Sequence, residues 1–352
     1  MKKILFLSSW RDSAFIDDQA RALGAEFEVR FFDCAHSFSI IPKGIQIRLQ
    51  ARRIIRDCRQ QAWVPDLIHA HVAYPAGVIG QLVKKEFGVP LVLTEHTGPL
   101  ELLEPYFGSE TAFNAHFLNY DQIICVSRFL KNQLSKRVPT HDQISVLGNI
   151  VGKKFFDTEI KTEIAQQSAL YVGRLTEEKG IIELSEALKL VDGCLKFKFI
   201  VKVIGNGPLR SLLESTALEL KNIKLEFLPE GPSVVCETLN EVRFLLLPSR
   251  IETFSMVAAE ALAMGRPVLG FDCGGPSDFV SEKMGHLIRE RDPKLFANKM
   301  LEMINMREWE LTSDECQNRR HSIERRFSAE AIFKGLEQVY LRTLRVGRPQ
   351  VY

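Results

Sequence analysis

At 352 residues the chain is long enough for two domains of ordinary size, and its 45% hydrophobic and 26% charged residues are those of a soluble globular protein. A net charge of +2 argues against a general attraction to nucleic acid or any other polyanion. Seven cysteines (Cys34, Cys58, Cys125, Cys194, Cys236, Cys273 and Cys316), scattered, odd in number and without a C-x-x-C pair, fit free thiols in a reducing cytosol, not a disulfide framework or a zinc site.

The apolar run after Lys2 and Lys3 stops at Trp10, too short for a signal peptide, and the uncharged stretch over 72–83 is too short to span a bilayer. The expectation is a cytoplasmic protein, with the inner face of the cell membrane open as a peripheral partner.

Short apolar runs at 3–8, 28–33, 67–71, 90–94 and 122–126 predict strands, and helical periodicity predicts helices at 17–23, 76–86 and 128–136. The segment 43–63 sets Lys43, Arg48, Arg52, Arg53, Arg56 and Arg59 against Asp57. Arg48, Arg52, Arg56 and Arg59 fall on one helical face, with Ile45, Leu49 and Ile55 nearby. That face is either a solvated basic surface or a contact for anionic lipid or a pyrophosphate-linked lipid acceptor. His69 and His71 alternate on the third strand and share a face. No third ligand follows at suggestive spacing, so packing or hydrogen bonding is preferred to metal binding. His96 sits just past the fourth strand.

After the polar stretch 157–168 the series restarts. Strands are predicted at 169–172, 198–204, 224–227, 244–248 and 267–271, and helices at 181–190, 209–220 and 256–264. Such alternation implies parallel sheets with right-handed crossovers. The chain therefore divides into one doubly wound α/β domain over 1–150, a second over 168–328, and a C-terminal segment over 329–352. The helix predicted at 329–344 places Ile332, Leu336, Val339 and Leu344 near one face, free to dock on either domain or to cross back to the first.

In an open α/β sheet, ligands sit beyond the carboxyl ends of the strands. Four segments of the second half converge there. YVGRLTEEKG, 171–180, reads as strand, loop and helix start, and Arg174 and Lys179 offer a fork and a point charge suited to clamping a diphosphate. VIGNGPLR, 203–210, has Gly205, Asn206 and Gly207 for a tight turn and close backbone approach. SRIETFSMVAAEALAMGRPV, 249–268, puts Glu252 in a strand exit loop, Ser255 at a predicted N-cap and Gly265 at the helix stop. The amides of Ser255, Met256 and Val257 then form an anion site. Glu252 would repel a phosphate and so faces hydroxyls, and Glu260, further into the helix, can accept the two neighbouring hydroxyls of a ribose. FDCGGPSDFV, 271–280, supplies Gly274 and Gly275. Each segment alone is ordinary; their joint order carries the information.

That order resembles retaining nucleotide-sugar glycosyltransferases of the GT-B fold, specifically family 4 (glycosyl transferases group 1). The matching elements are GRLTEEKG, VIGNGPLR, the E-x7-E pair Glu252 and Glu260, and CGG soon after. In the first half HAHVAYPAG, VLTEHTG and VSRFLKNQL look like the subgroup that builds bacterial surface polysaccharides.

The resemblance implies two Rossmann-like domains with a deep interdomain cleft, acceptor-side first and nucleotide-sugar-binding second. It assigns the donor diphosphate to Arg174 and Lys179 and the transferred sugar to Glu252. It assigns the ribose to Glu260, phosphate and sugar to the backbone of Phe254, Ser255, Met256 and Val257, and a place near the sugar to His96; Gly173, Gly205 and Asn206 shape the nucleotide site. The implied substrates are a nucleotide-diphosphate-sugar donor, with a UDP-sugar favoured, and a saccharide or lipid-linked saccharide acceptor, with no cofactor. No D-x-D motif is present, so no metal is expected. The chain departs from the family pattern in several places. SSWRDSAFIDD has no Gly-Gly pair, Gly148-Asn149-Ile150 replaces Asn-Gly, Asp278 stands where Glu is commoner, and Ser255 where Gly is commoner. An epimerase or hydrolase on the same fold would need a further acid/base pair, which the sequence does not point to. A non-catalytic nucleotide-sugar partner would have less reason to keep all four charged groups.

Overall fold

Runs of apolar side chains buried on both faces become the strands of two parallel sheets, as expected where helices cover each side. The computed structural model describes residues 1–9, 14–24, 26–34, 42–138, 143–164, 167–305 and 311–346. The chain forms two compact units, Met1–Ile150 with Phe327–Tyr352, and Val151–Arg326.

In the first unit the strands are β1 (Lys2–Ser8), β2 (Phe27–Asp33), β3 (Leu67–His71), β4 (Leu91–Glu95), β5 (Gln122–Cys125) and β6 (Ile144–Val146). Their order is β2-β1-β3-β4-β5-β6, all parallel. The helices are α1 (Ala14–Leu23), α2 (Lys43–Gln60), α3 (Val78–Phe87), α4 (Glu110–Phe117) and α5 (Arg128–Ser135). Ser109 and Ser127 cap α4 and α5 by accepting the amides of Ala112 and Leu130. The expected helix at 76–86 starts as a kinked turn, Ala73–Gly77, before α3 proper.

The second unit starts with α6 (Lys154–Asp157) and continues β7 (Ser168–Val172), α7 (Ile181–Cys194), β8 (Phe199–Ile204), α8 (Arg210–Glu219), β9 (Ile223–Leu228) and α9 (Pro232–Leu239). β10 (Phe244–Leu247), α10 (Met256–Ala263), β11 (Val268–Phe271), β12 (Gly285–Ile288), α11 (Pro293–Asn305) and α12 (Ser313–Phe327) complete it. The sheet order is β12-β11-β10-β7-β8-β9, again parallel. The winding reverses between β7 and β10, which opens a crevice at their carboxyl ends, where doubly wound sheets take ligands. Leu184, Leu188, Phe199, Phe244, Phe271 and Phe296 belong to the core cluster that supports this sheet.

The last helix, α13 (Ala329–Val346), belongs to the first unit. Its buried stripe is Ile332, Leu336, Tyr340 and Thr343, while Val339 and Leu344 are only partly covered. The apolar alternation pointed to the two aliphatic residues; the larger tyrosine takes the inward position because its hydroxyl finds a partner, His69 Nδ1, at 2.6 Å. Phe27 packs edge-on to the same ring at 5.7 Å. Each fully buried apolar side chain of this stripe contributes about 1.5–3 kcal/mol.

No helix among the described residues is long and apolar enough to cross a membrane. All seven cysteines are free, and burial pushes the Cys34 thiol up to about 12.

Candidate active site

Two loops meet at the crevice between β7 and β10. The first, 173–180, leaves β7; the second, 248–255, leaves β10. Gly180 makes the meeting possible. It sits at φ +72°, and a Cβ there would lie 1.8 Å from the Pro248 carbonyl oxygen. The amide of Arg250 donates to Glu178 O at 2.8 Å. The Arg250 guanidinium adds Glu183 Oε1 at 2.7 Å and also bonds Glu177. Glu183 is buried in the first turn of α7, so one arginine ties both loops to the start of that helix.

Lys179 and Glu252 are brought together by this arrangement. Lys179 Nζ donates to Glu252 Oε1 at 2.6 Å, and Ser249 Oγ donates to the same oxygen at 2.8 Å. The lysine side chain is 24% exposed and the carboxylate 11%, so the pair is largely shielded from solvent yet reachable. Arg174 is different. It is exposed, and its guanidinium has no hydrogen bond or ion pair among the described residues, while its carbonyl accepts the Tyr171 hydroxyl at 2.9 Å.

The remaining motifs lock onto these loops. Gly205 (φ +148°) lies so close to Gly173 that a Cβ would approach its carbonyl oxygen to 1.9 Å. Gly173 N donates to Ile204 O at 3.0 Å, and Leu175 N to Asn206 O at 2.8 Å. The Asn206 side chain caps its own turn through Gly207 N at 2.9 Å. On the other side Glu252 N donates to Cys273 O and Gly275 N to Glu252 O, at 2.9 and 2.8 Å. GRLTEEKG, GNGP, the Glu252 loop and CGG thus form one connected rim.

α10 starts at that rim. Its first-turn amides have no intrahelical acceptor and carry the positive end of the dipole. Ser255 occupies the N-cap position but does not act as a side-chain cap. It adopts φ +75°, ψ 88°, and its buried hydroxyl has no partner among the described residues. The left-handed conformation strains any residue with a Cβ, which accounts physically for glycine being the commoner choice at this position. Phe254 is buried against Phe279, ring centroids 5.4 Å apart, so only its backbone is available at the rim. Met256 and Val257 are partly exposed in the first turn.

The far end of α10 is held by cations. Arg320 Nε donates to Ala263 O at 2.8 Å and Arg319 Nη1 to Gly265 O at 3.2 Å. Arg266, fully buried, donates to Leu239 O at 2.8 Å, and burial pushes it down to about 10. Positive charge at the carboxyl end complements the helix dipole and anchors the helix whose other end faces the crevice.

Glu260 projects from the second turn of α10. Burial raises its carboxyl to about 7, an effect that Lys154 opposes. Its backbone carbonyl accepts Met264 N at 3.0 Å, while its side-chain carboxyl has no hydrogen-bond partner among the described residues.

In the first unit His96 follows β4, with Nε2 3.0 Å from His71 Nδ1 and the rings stacked at 5.2 Å. His71 in turn packs on His69, ring centroids 4.4 Å apart, and His69 Nε2 lies 2.7 Å from Thr94 Oγ1. Desolvation pushes His69 and His96 down to about 3 and His71 well below its ordinary value, so all three rings are neutral near pH 7. Glu95 holds the loop by accepting the amides of Ala73, His96 and Thr97 at 2.7–2.8 Å. Among the described residues no group of three His, Cys, Asp or Glu side chains could hold a metal ion.

Sequence reading did not find Arg250, Glu183, Ser249 or Glu95. The only available signal for Arg250 was its place two residues before Glu252. The first loop after β1 falls largely on residues 10–13, outside the described residues.

Comparison with known proteins is consistent with this layout. Residues 15–152 match the family model "Glycosyltransferase Family 4", and residues 166–306 match "Glycosyl transferases group 1". An uncharacterised glycosyltransferase of Methanocaldococcus jannaschii is 30% identical over 300 residues, 85% of this chain and 81% of that one. A capsular polysaccharide biosynthesis glycosyltransferase of Staphylococcus aureus is 28% identical over 62% of this chain and 60% of its own. Among solved structures, a sucrose-phosphate synthase of Thermosynechococcus elongatus superposes with TM-score 0.79 at 18% identity, covering 98% of this chain and 100% of that one. The UDP complex of the Anabaena protein HepE gives 0.77 at 19% identity, covering 97% and 100%.

Proposed function

Because the chain belongs to the group 1, family 4 glycosyltransferases and has their GT-B fold, we propose that it is a retaining, metal-independent enzyme acting on a UDP-sugar. It transfers a hexosyl or N-acetylhexosaminyl group to a saccharide or lipid-linked saccharide in the synthesis of a polysaccharide or glycolipid. The observation that carries this reading is the Lys179–Glu252 pair, set on one rim with Arg174 and the amino end of α10. The donor preference is supported by the UDP complex of HepE, a relative in fold. The polysaccharide direction is supported by the staphylococcal relative.

The ion pair has a chemical consequence. A nucleoside diphosphate entering the crevice competes with Glu252 for Lys179. The ammonium transfers to the diphosphate, and the released carboxylate accepts hydroxyls of the sugar. Both groups are therefore held in place before the donor arrives, which is electrostatic preorganisation. As the anomeric C–O bond breaks, its electron pair stays on the phosphate oxygen, where Lys179, Arg174 and the α10 amides meet the new charge. The acceptor hydroxyl attacks the same face and gives its proton to that oxygen, so no enzymic nucleophile is needed. Glu260 holds the ribose.

A panel of UDP-, GDP- and ADP-sugars tests the reading by thermal shift and by slow donor hydrolysis without acceptor. UDP and UDP-sugars are expected to raise the melting temperature, as any ligand of the folded state does. A response to none of the nucleotides overturns the proposal.

A further inference from the structure

The first unit contains a second concave site that the donor chemistry does not use. α2, the start of α3 and the stretch through α4 border an open groove of about 1030 Å³. Leu82 and Phe107 line it. Tyr74 and Tyr106 stack along it, ring centroids 4.2 Å apart and 17° from parallel. Lys43 and Arg48 supply its positive charge, with Lys43 Nζ 5.0 Å from the centre of the Tyr106 ring.

The lining favours an amphiphile over a bare sugar. Among the described residues no carboxylate faces the groove. Its two side-chain amides, Gln81 and Asn119, already donate to backbone carbonyls, His116 O at 2.8 Å and Ala115 O at 2.9 Å. A mostly apolar wall with two cations suits an amphiphile whose polar end is anionic.

The outer face of α2 points to where such a molecule comes from. Ile45 and Leu49 are 49% and 48% exposed, one turn apart, beside Arg48 and Arg52. α2 carries six cations and one acid, in a chain whose net charge is only +2. Arg53 and Arg56 lie near Asp57, and Arg59 pairs with Glu86. Lys43, Arg48 and Arg52 have no acidic partner among the described residues. Apolar side chains rimmed by unneutralised cations complement an anionic bilayer surface.

We propose that this groove binds a lipid phosphate. The apolar chain lies along Leu82, Phe107 and the tyrosine pair, and the phosphate meets Lys43 and Arg48. Ile45 and Leu49 seat in the bilayer that delivers it. The proposal rests on the glycosyltransferase reading and narrows the acceptor to one linked through a lipid phosphate.

The test is a titration of the full chain with dodecyl phosphate below its micelle concentration, followed calorimetrically. Inorganic phosphate and dodecyl maltoside serve as the head-only and uncharged arms. Dodecyl phosphate is expected to bind saturably, at least about tenfold more tightly than either control. Lys43→Ala with Arg48→Ala should weaken it about tenfold. Ala115→Trp, at an exposed helical position on the groove wall, should abolish it. Equal binding of the uncharged amphiphile, equal binding of inorganic phosphate, or an affinity indifferent to both variants overturns the proposal. The UDP thermal shift, read on the same samples, separates the two readings. A retained shift without dodecyl phosphate binding removes the lipid site alone, and a wild-type chain with no shift removes the functional reading.

Discussion

Replacing Glu260 by Gln should stabilise the fold and weaken the donor site together. The carboxyl is raised from 4.5 to about 7 in the folded chain, chiefly by burial. An acid with a raised folded value binds its proton more tightly folded than unfolded. Its ionisation therefore opposes folding, with no cost below about pH 4.5 and the full cost above about pH 7. At 1.36 kcal/mol per unit the penalty reaches about 3 kcal/mol, an upper figure because the side chain retains some solvent contact. Gln copies the protonated acid and removes the penalty. Thermal or denaturant unfolding of both proteins should give matching stabilities near pH 4.5, then a gap that widens through pH 7 in favour of the variant. UDP affinity should move the other way, falling roughly 5- to 30-fold at pH 8, because an amide accepts fewer hydroxyls than a carboxylate. A stability gap constant from pH 4.5 to 8.5 would refute the burial argument, and unchanged UDP affinity would refute the ribose assignment.

Ser255→Gly should stabilise the chain by about 1 kcal/mol, read from its urea midpoint, because it relieves a left-handed backbone and removes a buried hydroxyl without a partner. A destabilised variant would show that the hydroxyl stabilises the fold. Arg250→Ala should cost about 2 kcal/mol by stranding buried Glu183, and Glu183→Gln in the same chain should recover most of it. Strict additivity in that double-mutant cycle would mean that the two side chains do not couple. Donor KM should rise as pH falls below 7 through protonation of Glu260, with no second inflection near 6.5, since His96 stays neutral down to about 3. An inflection near 6.5 that disappears in His96→Gln would contradict the buried, neutral imidazole.

The fold was legible where burial on both faces writes an unbroken apolar run. Phe244–Leu247 is such a strand, and β4 begins in the same way with Leu91, Val92 and Leu93 before Thr94 and Glu95; the edges of both strands shift from the sequence expectation by one residue. β6 and β12 were not legible. They are edge strands of three and four residues, partly exposed, with too few apolar positions to stand out. In the candidate site, Gly-rich turns and the E-x7-E spacing are local and could be read directly. The pairing of Lys179 with Glu252 could not, because 73 residues separate them and the resemblance assigns each to a different part of the donor. Arg250 was hidden for a related reason: an arginine in a loop looks solvated until its partner, 67 residues away, is known. At Ser255 residue preference gave the correct helix start and the wrong chemistry, since backbone strain rather than side-chain capping marks the position.

Release of UDP from a UDP-hexose by the wild type, Lys179→Ala, Glu252→Gln and the double variant decides whether the paired charges act on the leaving diphosphate. Each single change should lower turnover roughly 10²- to 10³-fold with the fold intact, and the double variant should be little worse than either, as expected of groups that act as a unit. Turnover within about threefold of wild type for Lys179→Ala would contradict it.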